Sequence, residues 1–322
     1  MTLVLWASAF VAIRSAGQNF SPGALALGRL LPAAAVLALI SLIRRAGWPP
    51  RPAWPGIAAT GVLWFGVYMV ALNWGEQHVD AGTAAMVVNI GPILIALASG
   101  WLLREGLPRP LIVGITVSFA GVILVAIATS AGRHPSLAGV LLCLLAAVSY
   151  ALAVVSQKPA LRHASALQVT TFGCAVGALA CLPFTGQLVS QLAAAPLTAT
   201  LSVAYLGVFP TAVAFTTWAY ALARTSASKM GATTYLVPAL TVLMAWAILG
   251  QVPGWLALVG GTLCLAGVAL SRRRPARRAA APWLSHPVRA GRPQSLPIWP
   301  RAELLARSRS DRGSPEGGRP PA

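Results

Sequence analysis

The sequence predicts an all-α integral membrane protein, in which ten transmembrane helices form two inverted five-helix repeats, followed by a disordered basic C-terminal tail. Three observations lead to this fold class. Hydrophobic residues make up 57% of the 322-residue chain and charged residues only 9%, whereas a soluble domain carries about 25% charged residues. The apolar residues form long runs, and the second half of the chain repeats the pattern of the first. The mean hydropathy is +0.73, so residues 1–271 cannot form an ordinary soluble domain.

Ten runs have the length and composition of membrane spans, because a helix of about 20 mostly apolar residues crosses the hydrocarbon core. Helices are the expected conformation, since lipid offers no hydrogen bonds to backbone groups. Span 1 has an alternative interpretation as a signal peptide, with "ASA" at 7–9 resembling a cleavage site, but it lacks a basic n-region. The ten spans are residues 2–17, 22–43, 54–73, 81–103, 110–130, 136–157, 166–186, 199–222, 230–250 and 254–271.

The distribution of Lys and Arg predicts the orientation of the spans, because cytoplasmic connections are enriched in these residues. Only Arg14 and Arg133 follow odd-numbered spans, and both lie at span edges. We therefore expect a multi-pass protein of the plasma (inner) membrane with both termini in the cytoplasm. The basic residues that follow even-numbered spans, before the tail, are Arg44, Arg45, Arg51, Arg104, Arg109, Lys158, Arg162, Arg224 and Lys229.

A constant offset relates the two halves of the chain. Near the start, an offset of 144 aligns Trp6 with Tyr150 and Arg14 with Lys158. Residues 1–131 and 132–271 are therefore predicted to be two repeats. Each contains five spans, an odd number, so the copies enter the membrane in opposite orientations, a construction typical of secondary transporters. An offset of 146 aligns Trp74 with Tyr220, Pro92 with Pro238, Leu103 with Leu249, Glu105 with Gln251, Gly114 with Gly260 and Gly121 with Gly267.

A proline interrupts one apolar run in each repeat, Pro92 in residues 86–108 and Pro238 in residues 232–254. Each run is predicted to form one helix with the proline near its middle, where a proline destabilises a helix by about 3 kcal/mol. We interpret the two prolines as hinges that free backbone carbonyls beside a water-filled cavity, where irregular backbone is tolerated. The alternative is that they kink lipid-facing helices for packing.

These residues resemble the drug/metabolite transporter superfamily in its ten-helix form, built from two EamA-type repeats. The resemblance lies in "LVLWASAFVAIR" in span 1, "ALALGRLLPAA" with Arg29 in span 2, and "NIGPILIALASGWLLREGLPRPLIVGITVSFAGVILVA" in spans 4 and 5, and it returns from "YLGVFPTAVAF" onward. It implies a carrier of small polar metabolites, often amino acids and frequently an exporter. The family often has Glu where this chain has Gln251, which weakens any role for a symmetric Glu pair.

Aromatic and amide side chains are the candidates for lining a substrate cavity. Trp6 and Tyr150 are counterparts in spans 1 and 6, and Asn89 and Tyr235 are counterparts one turn before the two prolines. Binding pockets combine apolar walls with a few placed polar groups, which favours these four residues. Trp and Tyr also form belts at the membrane interface, so that interpretation stays open.

Charged residues within the spans are rare, and a charge at bilayer depth is unfavourable by several kcal/mol. Arg29 lies about two turns into span 2 and is a candidate for binding a substrate carboxylate. Alternatively, it snorkels or pairs with Glu76 or Asp80 in the connection between spans 3 and 4. Glu105 is interpreted as a structural clamp at a helix N-terminus, and Lys158 as an interface anchor.

Small residues recur at a spacing of seven, Gly114 with Gly121 and Gly260 with Gly267. This spacing places both members of each pair on one helix face, where small side chains permit close helix approach. We expect helix packing within the chain or a homodimer contact. The four cysteines lie in apolar runs without metal-ligand spacing, so no metal site and no cofactor are predicted.

The tail, residues 272–322, carries twelve arginines and many Pro, Ser and Gly residues, a composition typical of disorder. Its arginines near the membrane are expected to contact anionic lipid, and nucleic-acid binding is not expected.

The sequence favours a secondary transporter that moves a small polar metabolite by alternating access. An integral-membrane transferase or protease needs clustered aspartates or a Ser/His pair at depth, and neither is visible. A non-transporting multipass scaffold or receptor would share the same repeat.

Overall fold

The computed structural model describes residues 1–79, 84, 87–129, 136–249 and 254–271. All regular secondary structure in these residues is helical. The predicted disordered tail, Asp80, Arg133 and Gln251 lie outside the described residues. The helices are α1 Thr2–Ala16, α2 Pro22–Ile43, α3 Arg51–Gly75, α4 Gly91–Leu102, α5 Arg109–Thr129, α6 Leu137–Ala160, α7 Ala166–Ala180, α8 Thr185–Ala194, α9 Leu197–Arg224, α10 Ala227–Thr233, α11 Leu236–Leu249 and α12 Trp255–Ser271.

Five of the described helices, α2, α3, α5, α6 and α9, are long and apolar enough to cross a membrane. A sixth span is added if α7 and the segment Leu182–Ala194, which bend by 53° at Cys181, are one span. The other described helices that fall in predicted spans have 17 residues or fewer. The chain is therefore a multi-pass membrane protein.

The two prolines lie at helix starts, not near helix middles, so this detail of the prediction is wrong. A turn at Asn89–Ile90 precedes α4, and Pro92 is the second residue of that helix. A matching turn at Thr234–Tyr235 separates α10 from α11, and Pro238 is the third residue of α11. The first turn of a helix tolerates proline, because its N–H groups have no intrahelical acceptor. The predicted spans 81–103 and 230–250 are therefore interrupted one turn earlier than the prolines indicated.

Two wide helical turns also interrupt the long helices. Residues Gly61–Tyr68 of α3 and Gly207–Val213 of α9 form π-helix, a rare conformation that is frequent at functional sites. The two segments begin at glycines 146 residues apart. A Cβ on Gly61 would lie 2.7 Å from the carbonyl oxygen of Gly173 in α7, and one on Gly207 would lie 2.5 Å from that of Arg29 in α2. The glycines thus let α3 approach α7, and α9 approach α2.

Helices α5 and α12 pack closely against each other, and the four predicted packing glycines lie between them. A Cβ on Gly121 would be 2.5 Å from the carbonyl oxygen of Gly260. One on Gly267 would be 2.5 Å from that of Gly114. The two helices therefore touch backbone to backbone.

One hydrogen-bonded pair lies between these two glycine contacts. The hydroxyl of Ser118 donates to the carbonyl oxygen of Cys264 at 3.2 Å, and the thiol of Cys264 donates to the carbonyl oxygen of Ser118 at 3.5 Å. The side chain of each residue is thus hydrogen-bonded to the backbone of the other helix, and both residues are buried.

We predict that Gly121→Ala lowers the unfolding temperature of the purified protein in detergent by several degrees. The added methyl would meet backbone atoms, which cannot move aside, and overpacking of this kind costs about 1–3 kcal/mol. Gly186→Ala in α8 is the control, because no atom lies within 4 Å of its Cβ position. Equal unfolding temperatures of the two variants, measured by fluorescence-detected size exclusion after heating, would contradict the packing described.

Candidate functional site

A cavity of about 110 Å³ lies among the helices, with room for several water molecules. Its walls come from α1, α2, α3 and the start of α4 in the first half, and from α6, α9 and the α10–α11 break in the second. Both halves of the chain therefore contribute to a single site. The lining residues are Trp6, Ala9, Ile13, Arg29, Trp64, Tyr68, Met69, Leu72, Val88, Asn89, Pro92, Tyr150, Phe215, Thr234 and Val237.

Aromatic rings form one wall of the cavity. The Trp6 ring lies with its centroid 5.1 Å from Trp218 and 5.3 Å from Phe215, and the Trp64 centroid lies 4.8 Å from Phe215 and 5.2 Å from Tyr150. Ring pairs at these distances contribute a favourable interaction energy in addition to that from burying their apolar area. The cluster is therefore a rigid apolar surface built from α1, α3, α6 and α9.

The π-helical segment of α9 holds two of the polar groups at the cavity. The indole N–H of Trp6 donates to the carbonyl oxygen of Pro210 at 3.2 Å. The Nε of Arg29 donates to the hydroxyl oxygen of Thr211 at 3.1 Å, and that hydroxyl donates to the carbonyl oxygen of Leu206 at 2.8 Å. The wide turn thus supplies the acceptors that fix Trp6 and Arg29.

Arg29 is the one charged side chain among the described residues that line the cavity. It is only 6% exposed, and a guanidinium has five N–H donors, of which Thr211 takes one. Glu76 also interacts electrostatically with Arg29, while Asp80 lies outside the described residues. The arrangement presents a fixed positive charge beside apolar rings.

The breaks before α4 and α11 both border the cavity. Asn89 and Pro92 line it from the first break, and Thr234 lines it from the second. Tyr235 is fully buried in a separate cluster with residues of α5 and α12. Neither Tyr235 nor Pro238 is among the lining residues. Of the five residues predicted to bind substrate, the structure thus brings together Trp6, Arg29, Asn89 and Tyr150.

Three aromatic residues that the sequence did not single out line the cavity, Trp64, Tyr68 and Phe215. Each lies in an almost uniformly apolar run, where no polar face shows which side points inward. The offset of 146 pairs Phe215 with Met69, and only the structure shows that both residues line the cavity.

Two charged side chains hold the connection between α9 and α10. The carboxylate of Glu105 accepts hydrogen bonds from the backbone N–H groups of Ala227, at 3.0 Å, and Ser228, at 3.3 Å. The ammonium of Lys158 donates to the carbonyl oxygens of Leu222 and Thr225, both at 2.6 Å. Glu105 therefore caps a helix of the other half of the chain, and Lys158 caps the C-terminus of α9. Neither partner was visible in the sequence.

Comparison with known proteins identifies the family. The EamA-like transporter family matches residues 1–127 and, a second time, residues 137–273. The chain belongs to this family. The predicted resemblance is therefore confirmed, and the chain is a membrane transporter. Among the described residues, no group of three His, Cys, Asp or Glu side chains is placed to hold a metal ion.

Several EamA-like relatives cover most of the chain. A protein of Streptantibioticus cattleyicolor named "Probable terminal-alkyne amino-acid exporter" is 38% identical over 274 residues, 85% of this chain and 92% of the relative. The "Uncharacterized transporter YdfC" of Bacillus subtilis is 33% identical over 82% of this chain and 86% of its own length. A protein of Salmonella typhimurium named "Probable amino-acid metabolite efflux pump" is 23% identical over 83% of this chain and 91% of its own length.

A solved crystal structure has the same fold as this EamA-like chain. It superposes with a TM-score of 0.70 at 22% identity, covering 84% of this chain and 93% of the other.

We predict that Lys158→Met lowers the unfolding temperature in detergent by a few degrees. The substitution keeps the apolar stem and removes two charge-assisted hydrogen bonds, each worth about 1.5–3 kcal/mol. The control is Arg162→Met, which removes an exposed positive charge just beyond the same helix end. A loss of stability in both variants alike would show that net charge, and not the capping of α9, is responsible.

Proposed function

We propose that this EamA-like protein is a secondary transporter that exports a small metabolite, an amino acid or a related compound, by alternating access. The observation that carries the proposal is the cavity, in which both halves of the chain surround one buried arginine with aromatic rings. The proposed architecture has ten transmembrane helices in two inverted repeats, residues 1–131 and 132–271, followed by a basic tail at 272–322.

The contacts of α5 with α12 support an inverted repeat. A two-fold axis between two copies requires that every contact recur with the partners exchanged. The counterpart pairs are Gly114 with Gly260 and Gly121 with Gly267. The contacts are between Gly114 and Gly267 and between Gly121 and Gly260, so exchanging counterparts turns one contact into the other. Ser118 and Cys264, also 146 residues apart, bond to each other, as expected for residues beside the axis.

A second set of contacts obeys the same rule. Gly61 of α3 meets Gly173 and Val176 of α7, and its counterpart Gly207 of α9 meets Arg29 and Pro32 of α2. The offset between α2 and α7 in these contacts is 144, the value found near the start of the chain. Two independent helix interfaces are therefore consistent with one symmetry, and the family itself matches the chain twice.

The chemistry of the cavity favours a substrate with a carboxylate and an apolar group. The remaining N–H donors of Arg29 suit a carboxylate, and charge-assisted bonds of this kind are strong. The rings of Trp6 and Trp64 suit an apolar side chain. A relative named as a terminal-alkyne amino-acid exporter fits this description, since such a substrate has both parts.

The same cavity favours movement driven by the substrate gradient. No carboxylate is among the described lining residues, and a carboxylate is the usual proton-carrying group in transporters. The enrichment of Lys and Arg in the connections after even-numbered spans supports a plasma-membrane location with both termini in the cytoplasm. The tail would then face anionic lipid. A homodimer is compatible with the apolar side chains exposed on the outer faces of the helices.

Arg29→Gln should abolish counterflow of the preferred amino acid in proteoliposomes, and Arg29→Lys should retain a small fraction of it. The neutral amide loses the charge that holds the carboxylate, whereas lysine keeps the charge without the fork of donors. The screen uses a panel of amino acids across roughly pH 5.5–8, and substrate-driven counterflow should not require a proton gradient.

The control is Arg224→Gln, because Arg224 is exposed and stacks on Tyr220 at the surface. If the wild-type protein moves no member of the panel, the proposal yields to the scaffold or receptor alternative. Strictly proton-driven uphill exchange would overturn the proposed coupling.

Cysteine labelling tests the orientation. Arg44→Cys and Arg224→Cys should react with a membrane-impermeant maleimide from the cytoplasmic side, because both follow even-numbered spans. Ser190→Cys in α8 should react from the opposite side. All three positions are exposed, and the four native cysteines are buried. Labelling of Arg44→Cys and Arg224→Cys from different sides would exclude the inverted architecture.

A further inference from the structure

In the described second half of the chain, Gln157, Trp218 and Tyr235 are among the polar side chains that are buried without a hydrogen-bond partner. Gln157 is fully buried, and neither its amide nitrogen nor its amide oxygen has a partner. The indole nitrogen of Trp218, 1% exposed, and the hydroxyl of Tyr235, 0% exposed, also lack one. A buried polar group without a partner destabilises a fold by about 1–3 kcal/mol. Groups of this kind are few in native structures, and each requires an explanation.

Each of these three residues is the counterpart of a residue that lines the cavity. The offsets are those given above, 144 in the first two spans of each half and 146 in the later ones. Tyr150 lines the cavity itself and is the counterpart of Trp6. Thr170 is the exception, since its counterpart Ala26 does not line the cavity. The pairs are Gln157 with Ile13, Trp218 with Leu72, and Tyr235 with Asn89.

The proposed inverted symmetry indicates a function for Gln157, Trp218 and Tyr235. When two inverted repeats exchange conformations, each residue takes up the surroundings that its counterpart had before. We propose that Gln157, Trp218 and Tyr235 line the substrate path when the protein opens to the opposite side, and that their polar groups then bind water and substrate. This inference rests on the proposed alternating access.

The chemistry of the three groups suits the polar head of a zwitterionic metabolite. The amide of Gln157 both donates and accepts, so it matches either a carboxylate or an ammonium group. The indole of Trp218 donates only, and the hydroxyl of Tyr235 does both. The three positions thus place neutral polar groups where the present cavity has Ile13, Leu72 and Asn89.

The end of the path that holds these residues is closed in the structure. Lys158, next to Gln157, bonds to Leu222, one turn beyond Trp218. Glu105 holds the start of α10, which leads to Tyr235. In the proposed orientation this end faces the cytoplasm, since α6 and α9 both run toward it.

Accessibility of single cysteines in the full-length protein tests the inference. A membrane-impermeant, positively charged methanethiosulfonate is applied to inverted and to right-side-out vesicles during substrate counterflow. We expect Gln157→Cys to react from the cytoplasmic side only and Ile13→Cys from the outside only. Ala160→Cys, one turn further along α6 and packed against Gly56, is the matched control and should react from neither side.

The outcomes separate this inference from the proposed function. If Ile13→Cys reacts and transport persists while Gln157→Cys is protected on both sides, the inference is wrong and the transport proposal stands. If Ile13→Cys is itself protected on both sides, the cavity is not a transport path and both fail.

Gln157→Leu provides a second measurement that does not depend on labelling. Removal of an unpartnered amide should leave the unfolding temperature unchanged or raise it. The KM on the cytoplasmic side should nevertheless rise about fivefold, the equivalent of one hydrogen bond of about 1 kcal/mol, with the KM on the outer side unchanged. A lower unfolding temperature with both KM values unchanged would show that Gln157 has a structural role alone.

Discussion

The lack of water in the bilayer interior constrains every backbone group of this protein, because an unpaired N–H or carbonyl there is unfavourable by several kcal/mol. Interruptions of the helices are therefore informative. In the described residues, four of them lie beside the cavity or its polar groups, namely the turns before α4 and α11 and the wide turns of α3 and α9, whereas the bend at Cys181 is not among the lining residues. Local polar groups compensate for them. Thr211 donates to Leu206, Trp6 to Pro210, and Thr234 to Gly231.

The same constraint connects the fold to the chemistry of the site. In a regular helix the carbonyl groups accept hydrogen bonds from N–H groups of the same helix. Few carbonyl acceptors are therefore left for a ligand or a buried cation. The wide turn of α9 offers the carbonyl oxygen of Pro210 to Trp6, and it carries Thr211, whose hydroxyl accepts a hydrogen bond from Arg29. The position of the guanidinium thus depends on a backbone irregularity in the other half of the chain, and the site exists only when both halves are present.

The sequence predicted the class of fold, the family and most of the helices, because hydropathy and the offset between the halves are strong signals. It did not predict where the helices break. Pro92 and Pro238 marked the correct turns, yet a proline is compatible with a kink and with a new helix start, and only the structure distinguishes them. Trp64 and Phe215 could not be assigned to the cavity, since a run that is apolar on all sides has no inward face to read. The partners of Glu105 and Lys158 lie more than 60 residues away, beyond any local pattern.

The contact between Ser118 and Cys264 has a consequence for how such a chain evolves. A symmetric pair of identical subunits must place the same amino acid on both sides of its axis, so any change there occurs twice at once. In one polypeptide with two related segments, the two sides mutate independently. Here a hydroxyl faces a thiol, and the two groups differ in size and in strength as hydrogen-bond donors. In the proposed inverted repeat, a position beside the axis is thus free from enforced identity, and the two ends of one molecule can become chemically distinct while the geometry of the contact is kept.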